Sequence, residues 1–295
     1  LGVPKVVVST VSFSPLLPPE RIAPDLMMIL WAGGLYGLNS ICKSSLSQAC
    51  GAVLGAVRAV EAPKGDRPVV AISSLGKSSL KYMVTLKPEL ERRGFEVAIF
   101  HATGMGGRAM EFLVRQKKVV AVLDFALVEV SNQLMGSPVN AGADRMLAAG
   151  DAGIPYMAAP GGVDLIDAQA AQDIPVHLVG REFHQHNRLI TCAMMTEDER
   201  AISARQITTR LAANAAKGSS TTLIVPHGGV DEWDREGGDL FDPAGLKALC
   251  KTLVETNDPA VELIETDAHI NDPAFTDLAL EVFDRWLEDG LVVAK

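Results

Sequence analysis

Apolar residues fall along the chain in short continuous runs, separated by stretches in which they recur every three or four positions. The short runs are Val69–Ser73, Phe95–Phe100, Val119–Phe125, Ile154–Ala158, Thr221–Val225 and Val261–Thr266. The helical period appears in Ser79–Arg93, Gly107–Lys117, Val128–Leu134, Asp144–Ala152, Thr196–Lys217, Pro243–Glu255 and Pro273–Asp289. Continuous apolar runs mark strands buried on both faces, and their alternation with helices of this length predicts parallel pairing through right-handed crossovers. Two helix starts carry their own chemistry. Thr196 with Glu199 is a capping box, and Asp272 before Pro273 combines an N-cap residue with a first-turn proline. The fold class is α/β, a Rossmann-like parallel sheet with helices on both faces.

The first sixty residues read differently. Val6–Val11 is a buried strand, Phe13–Pro24 an irregular loop holding four prolines, and Asp25–Trp31 a second short strand. Gly37–Val60 is a long helix with small residues along one side (Ser44, Ser45, Ala49, Gly51, Ala52, Gly55, Ala56, Ala59), which suits close packing against another helix or a second copy. Residues 61–68, around the Ala62–Pro68 segment APKGDRP, form a linker. The chain therefore divides into 1–60, the later part of an incomplete α/β domain, and 69–295, a Rossmann-like domain. It enters a strand at once, without an initiator methionine or signal peptide, so we expect an N-terminal part to be cleaved or supplied as a separate chain.

Composition narrows the function classes. The 295 residues suffice for one large or two ordinary domains, and 48% apolar residues are ample for a core. No apolar run approaches the roughly 18 residues of a membrane span; the nearest, Leu26–Leu38, is interrupted by Gly33, Gly34 and Gly37. A net charge of −9 argues against DNA or RNA backbone as partner. Cys42, Cys50, Cys192 and Cys250 form no CxxC pair and read as reduced thiols, which suits the cytoplasm.

Candidate chemistry gathers at strand ends. In Phe95–Glu111 (FEVAIFHATGMGGRAME) a strand ends at His101, and a turn containing Gly104, Gly106 and Gly107 opens a helix. Free N–H groups and the helix dipole there suit a phosphate or carboxylate, with Thr103 beside them. Other strand ends carry Ser73-Ser74, Asp124, Pro160-Gly161-Gly162, Pro226-His227-Gly228-Gly229 and Asp267-Ala268-His269. In parallel sheets ligands sit beyond these ends, so Gly161, Gly228 and Gly229 join the candidate anion-binding set. His101, His227 and His269 are the candidate bases, with Asp124 as an orienting carboxylate. A metal held by these histidines lacks supporting spacing, and none is assigned. His184 and His186 form an HxH that one face of a strand could present, in a hydrogen-bonding role. Gly76-Lys77-Ser78 follows a strand as in a P-loop, but Ala71 stands where the first glycine belongs. No G-x-S-x-G elbow occurs.

The sequence resembles the Tm-1-like, UPF0261 family. The resemblance rests on VPKVVVST, DLMMI with GLNSI, FHATGMGGRAME, GIPYMAAPGGVD, HQHN with MMTEDE, IVPHGGVD and ETDAHINDPAF, in that order over essentially all of the chain. It implies two Rossmann-like domains and a Tm-1-like ATP-binding segment, whose N-terminal GTTDTKG-like and GGSGGT-like elements are not found here. ATP with magnesium would then require a partner segment. Two local departures mark a divergent member: Ser12-Phe13-Ser14-Pro15 after the first strand, and Pro226-His227-Gly228-Gly229-Val230-Asp231 where PEGGVS is usual. The function expected is binding of a phosphorylated or carboxylated small ligand, including a nucleotide, in a cleft between the domains. The alternatives are a hydrolase or C–C lyase acting on a small oxo acid with a histidine base, and a non-catalytic subunit of a heteromer. A homo-oligomer is expected, with or without a small chain carrying the missing segment.

Overall fold

Strand and helix alternate through most of the computed structural model, which describes all residues except 1–2, 13, 15–16, 18–21, 32, 34–36, 62–64, 78, 171, 187 and 295. Two compact units emerge, residues 1–66 and 67–295.

In the first unit, β1 (Val6–Ser9) pairs in parallel with β2 (Met27–Leu30), Val6 opposite Met27. A Lys5–Asp25 ion pair and the Met27 N–H to Lys5 carbonyl bond tie the strand entrances together. Helix α1 (Ser40–Ala59) starts where Asn39 Oδ1 accepts the Cys42 N–H at 2.9 Å. It buries Cys42 and Ala49 alone, leaving Ile41, Leu54 and Val57 exposed. The expected proline loop falls largely on residues outside the described set.

The second unit is built on β3 (Val69–Ser74), β4 (Glu96–His101), β5 (Ala121–Asp124) and β6 (Tyr156–Ala158), completed by β10 (Thr221–Pro226) and β11 (Glu262–Thr266). They form a six-stranded parallel sheet in the order β11-β10-β6-β5-β3-β4. Alternate residues enter opposite cores. Val70, Ile72, Leu123, Met157 and Ile224 pack beneath α2 (Met83–Arg92) and α8 (Pro273–Glu288). Ala71, Val122, Tyr156, Leu223 and Val225 face α3 (Met105–Arg115), α6 (Glu197–Ala215) and α7 (Pro243–Glu255). Both sheet faces are thereby covered, which is why these strands carry so few polar residues. Tyr82 and Phe125 meet edge to face at 5.4 Å, and Phe125 meets Phe275 at 5.2 Å, fastening the first core to the carboxyl ends of β3 and β5.

The chain passes from β3 to β4 on one side, then returns to β5 on the other. Such a reversal opens a crevice at the carboxyl edge of a sheet. Short helices α4 (Val128–Leu134) and α5 (Ala148–Ala152) follow β5.

The pattern missed one element. β7 (Leu165–Gln169), β8 (Phe183–His184) and β9 (Ile190–Met194) form a small antiparallel sheet, order β7-β9-β8, after β6. At the start of α6 both halves of the Thr196–Glu199 capping box are made. Asp272 occupies the N-cap position of α8 without capping it. Its oxygens accept from the His269 N–H at 3.0 Å and from Arg235 at 3.0 Å.

Candidate functional site

The glycine turn of β4–α3 already holds an anion, and it belongs to the chain. Glu129 of α4 places Oε1 2.6 Å from the Gly104 N–H and 3.1 Å from that of Gly107. A β-carbon on Gly107 would lie 1.8 Å from Glu129 Oε2, so glycine is required for the carboxylate to approach. The expectation that these two N–H groups hold a ligand's phosphate is therefore corrected. The same accounting applies elsewhere. Gly161 donates to Ala159, Gly228 to Ala268, Gly229 to Pro226 and Thr103 to His101, all backbone carbonyls. Gly106 packs against the His101 carbonyl.

Behind Glu129 lies a buried charge network centred on Arg145. Its Nε reaches Glu129 Oε2 at 2.8 Å, Nη1 reaches Glu111 at 3.3 Å, and the guanidinium clasps both oxygens of Asp124, Nη2 to Oδ1 at 2.7 Å. Ser73 Oγ donates to Asp124 Oδ1 at 2.6 Å, and the Tyr156 hydroxyl donates to Oδ2. Burial raises the Glu129 and Glu111 carboxyls, and Arg145 works against the rise. Asp124 thus orients an arginine instead of a histidine, and its proposed partnership with His101 or His227 is not formed.

The three candidate histidines are not brought together. His227 is exposed and meets Glu265 at 2.8 Å, facing a surface groove along α7. His269 is buried, with Nδ1 accepting the Asn271 N–H at 3.0 Å. That makes Nε2 the donor, shared between the Asp231 carbonyl at 2.7 Å and Asp234 Oδ1 at 3.0 Å. Both ring nitrogens are occupied in holding a loop, so His269 is a structural histidine rather than a base.

Of the three, His101 alone lines the crevice predicted by the strand order, a pocket with a cavity volume of about 70 Å³ at the carboxyl edge of the sheet. Its polar wall comprises Ser79, His101, Thr103, Asp167, His186 and Asp231; Leu75, Val128, Leu165, Ile190 and Trp233 supply apolar surface. Asp167 is engaged, accepting from Asn132 Nδ2 at 2.8 Å and from the Cys192 thiol at 3.1 Å. Burial raises the Cys192 thiol, so it carries no reactive thiolate. His184 and His186 both lie against Trp233, ring centroids 4.8 and 4.9 Å away, which gives the HxH pair one aromatic partner.

Asp231 and Ser79 stand apart. Asp231 Oδ1 accepts the Trp233 N–H at 2.7 Å and that of Asp234 at 3.3 Å, while Oδ2 is buried without a partner among the described residues. Ser79 Oγ is likewise buried and unpartnered among them. Burial, then the charges of Asp164 and Asp234, raise Asp231 well above the usual carboxylate range. Burial likewise pushes Asp164 up to about 7. In the sequence Ser79 is a helix start closing the Gly76–Ser79 segment, which can touch a phosphate without being a P-loop, and Asp231 stands out only as the last residue of IVPHGGVD. The available signal was an aspartate two residues beyond the glycine turn that ends β10.

Among the described residues no helix is long and apolar enough to cross a membrane, and no group of three potential ligands is placed to hold a metal ion. All four cysteines are free.

Comparison with known proteins covers nearly all of the chain. The model of the UPF0261 C-terminal domain, described as an uncharacterised protein family, matches residues 67–287, and that of the N-terminal domain matches residues 1–62. A UPF0261 protein of Brucella melitensis is 53% identical over 293 residues, 99% of this chain and 69% of its own length. One from Clostridium tetani is 35% identical over 278 residues, covering 93% of this chain and 67% of that protein. The ToMV resistance protein Tm-1 of Solanum lycopersicum is 29% identical over 291 residues, 96% of this chain and 38% of the tomato protein.

Proposed function

The chain belongs to the UPF0261 family, and from that premise we propose that its second unit binds a small carboxylated or phosphorylated ligand in the crevice at the carboxyl edge of the six-stranded sheet. The observation that carries this reading is a pair of buried atoms without partners among the described residues, Ser79 Oγ and Asp231 Oδ2, on two residues that line one pocket. Buried polar atoms are nearly always hydrogen-bonded, and each one left bare costs about 1–3 kcal/mol. A ligand oxygen offers both atoms a partner. Thr103 and His101, on the same pocket, suit the ligand's anionic end, displaced from the glycine turn that Glu129 fills.

The reading is tested by titration calorimetry of the full chain with small carboxylates, phosphorylated metabolites and ATP with magnesium. We expect saturable binding of a small acid, weakened at least tenfold by Ser79→Ala without loss of melting temperature, since that hydroxyl has no partner among the described residues to lose. Failure of every compound in the panel, or binding indifferent to Ser79→Ala, would overturn it.

A further inference from the structure

Resting on that reading of the pocket, we infer that the ligand is a small 2-oxo acid, and that Asp231 and His186 move protons at its carbonyl oxygen and the adjacent carbon. Asp231 is a positioned carboxyl. Two backbone N–H groups fix Oδ1, at 2.7 and 3.3 Å, while Oδ2 is buried and without a partner among the described residues. The turn carrying it is held from beneath by His269 Nε2 through the Asp231 carbonyl at 2.7 Å. Trp233 joins the two reacting groups, since its N–H holds Asp231 and its ring lies 4.9 Å from that of His186.

The protonation states suit this chemistry. Burial and the neighbouring carboxyls keep Asp231 protonated far beyond the usual range, so Oδ2–H donates to a carbonyl oxygen and does not repel an acid. Ser79 Oγ supplies a second donor to the same oxygen. Burial lowers His186, and the imidazoles of His184 and His101 act the same way against the opposing pull of Asp167, leaving a neutral base at pH 7. Leu75, Val128 and Leu165 give a short carbon chain an apolar wall.

The step balances within the ligand and two side chains. An unprotonated nitrogen of His186 takes a proton from C3, and the C3–H electron pair becomes the C2–C3 double bond. The carbonyl π pair then takes the proton of Asp231 Oδ2–H, giving the enol, an aspartate and an imidazolium. Return of both protons restores the oxo acid. In D2O the imidazolium exchanges first, so deuterium enters C3.

The test follows the C3 protons of 2-oxobutyrate by ¹H NMR in D2O with the full chain. We expect catalysed loss of the C3 signal, reduced about 100-fold or more by Asp231→Asn and by His186→Gln. Titration should still detect 2-oxobutyrate binding by both variants. Asp231→Asn retains the Oδ1 acceptor; were it not to fold, His186→Gln alone must abolish exchange. Binding by the wild type without exchange, or exchange untouched by the substitutions, overturns the inference and leaves the binding reading intact. Absence of binding by every carboxylate and phosphorylated compound overturns both.

Discussion

Arg145 and Asp124 are both fully buried, and the guanidinium meets both carboxylate oxygens. Each is the other's counter-ion. Arg145 is the sole cation in direct contact with Glu111, Glu129 and Asp124 within the described network, apart from the Arg115–Glu111 approach at 3.8 Å. Removing one partner of a buried pair typically costs about 3–5 kcal/mol, because the charge left behind is unsolvated. Arg145→Met should cost at least that much, measured by urea unfolding. A loss below roughly 1 kcal/mol would mean that the carboxyls relax by taking up protons.

The histidines should separate by stability. His269→Ala removes ring bonds to Asp231, Asp234 and the Asn271 N–H, and should lower stability by about 3 kcal/mol or more at roughly 1–3 per stranded group. His227→Ala, at an exposed pair with Glu265, should stay within about 0.5 kcal/mol. Paired melting curves decide; equal losses would contradict the structural role given to His269.

Asp164 makes stability depend on pH in an unusual direction. Burial raises its carboxyl from 3.8 to about 7; Arg200 opposes the rise and Asp234 adds to it. Between those values the unfolded chain has lost the proton that the folded chain keeps, so stability falls as pH rises. About three units at 1.4 kcal/mol each make the fall roughly 4 kcal/mol, complete above pH 7. Asp164→Asn has no proton to lose, so its unfolding midpoint should decline less between pH 4.5 and 8 than the wild type's. Parallel declines would refute the assignment.

Gly106→Ala should act on the pocket through the backbone. The added carbon would lie 1.8 Å from the His101 carbonyl oxygen, and only movement of the β4–α3 turn relieves the clash. Since His101 and Thr103 belong to that turn, affinity for a small acid should fall at least tenfold, more than the melting temperature alone would suggest. Unchanged affinity would remove the turn from the site.

Much of the fold was legible because parallel strands announce themselves. Thr221–Pro226 is buried throughout, and Pro243–Glu255 begins at the proline that its sequence marks. The antiparallel sheet β7-β9-β8 was not legible. Leu165–Gln169 is five residues and Phe183–His184 two, too short for periodicity to register, and their pairing depends on neighbours distant in sequence. The site was half legible for a related reason. Strand order put His101 and Thr103 at the crevice, and pattern alone located that rim. Nothing local in Glu129 says that its carboxylate will fill the Gly104–Gly107 turn 25 residues earlier. Only the folded chain shows which N–H groups are already engaged.

The Glu129 carboxylate has one more consequence, for how the protein depends on its surroundings. An anion recruited from solution stabilises a fold by mass action, so that part of the molecule strengthens or weakens with supply. Here the occupant of the β4–α3 turn is tethered, and its effective concentration is a constant of the covalent structure. The turn's order is therefore indifferent to metabolite levels. A metabolite arriving at the neighbouring crevice meets a β4–α3 turn already assembled by the chain's own carboxylate.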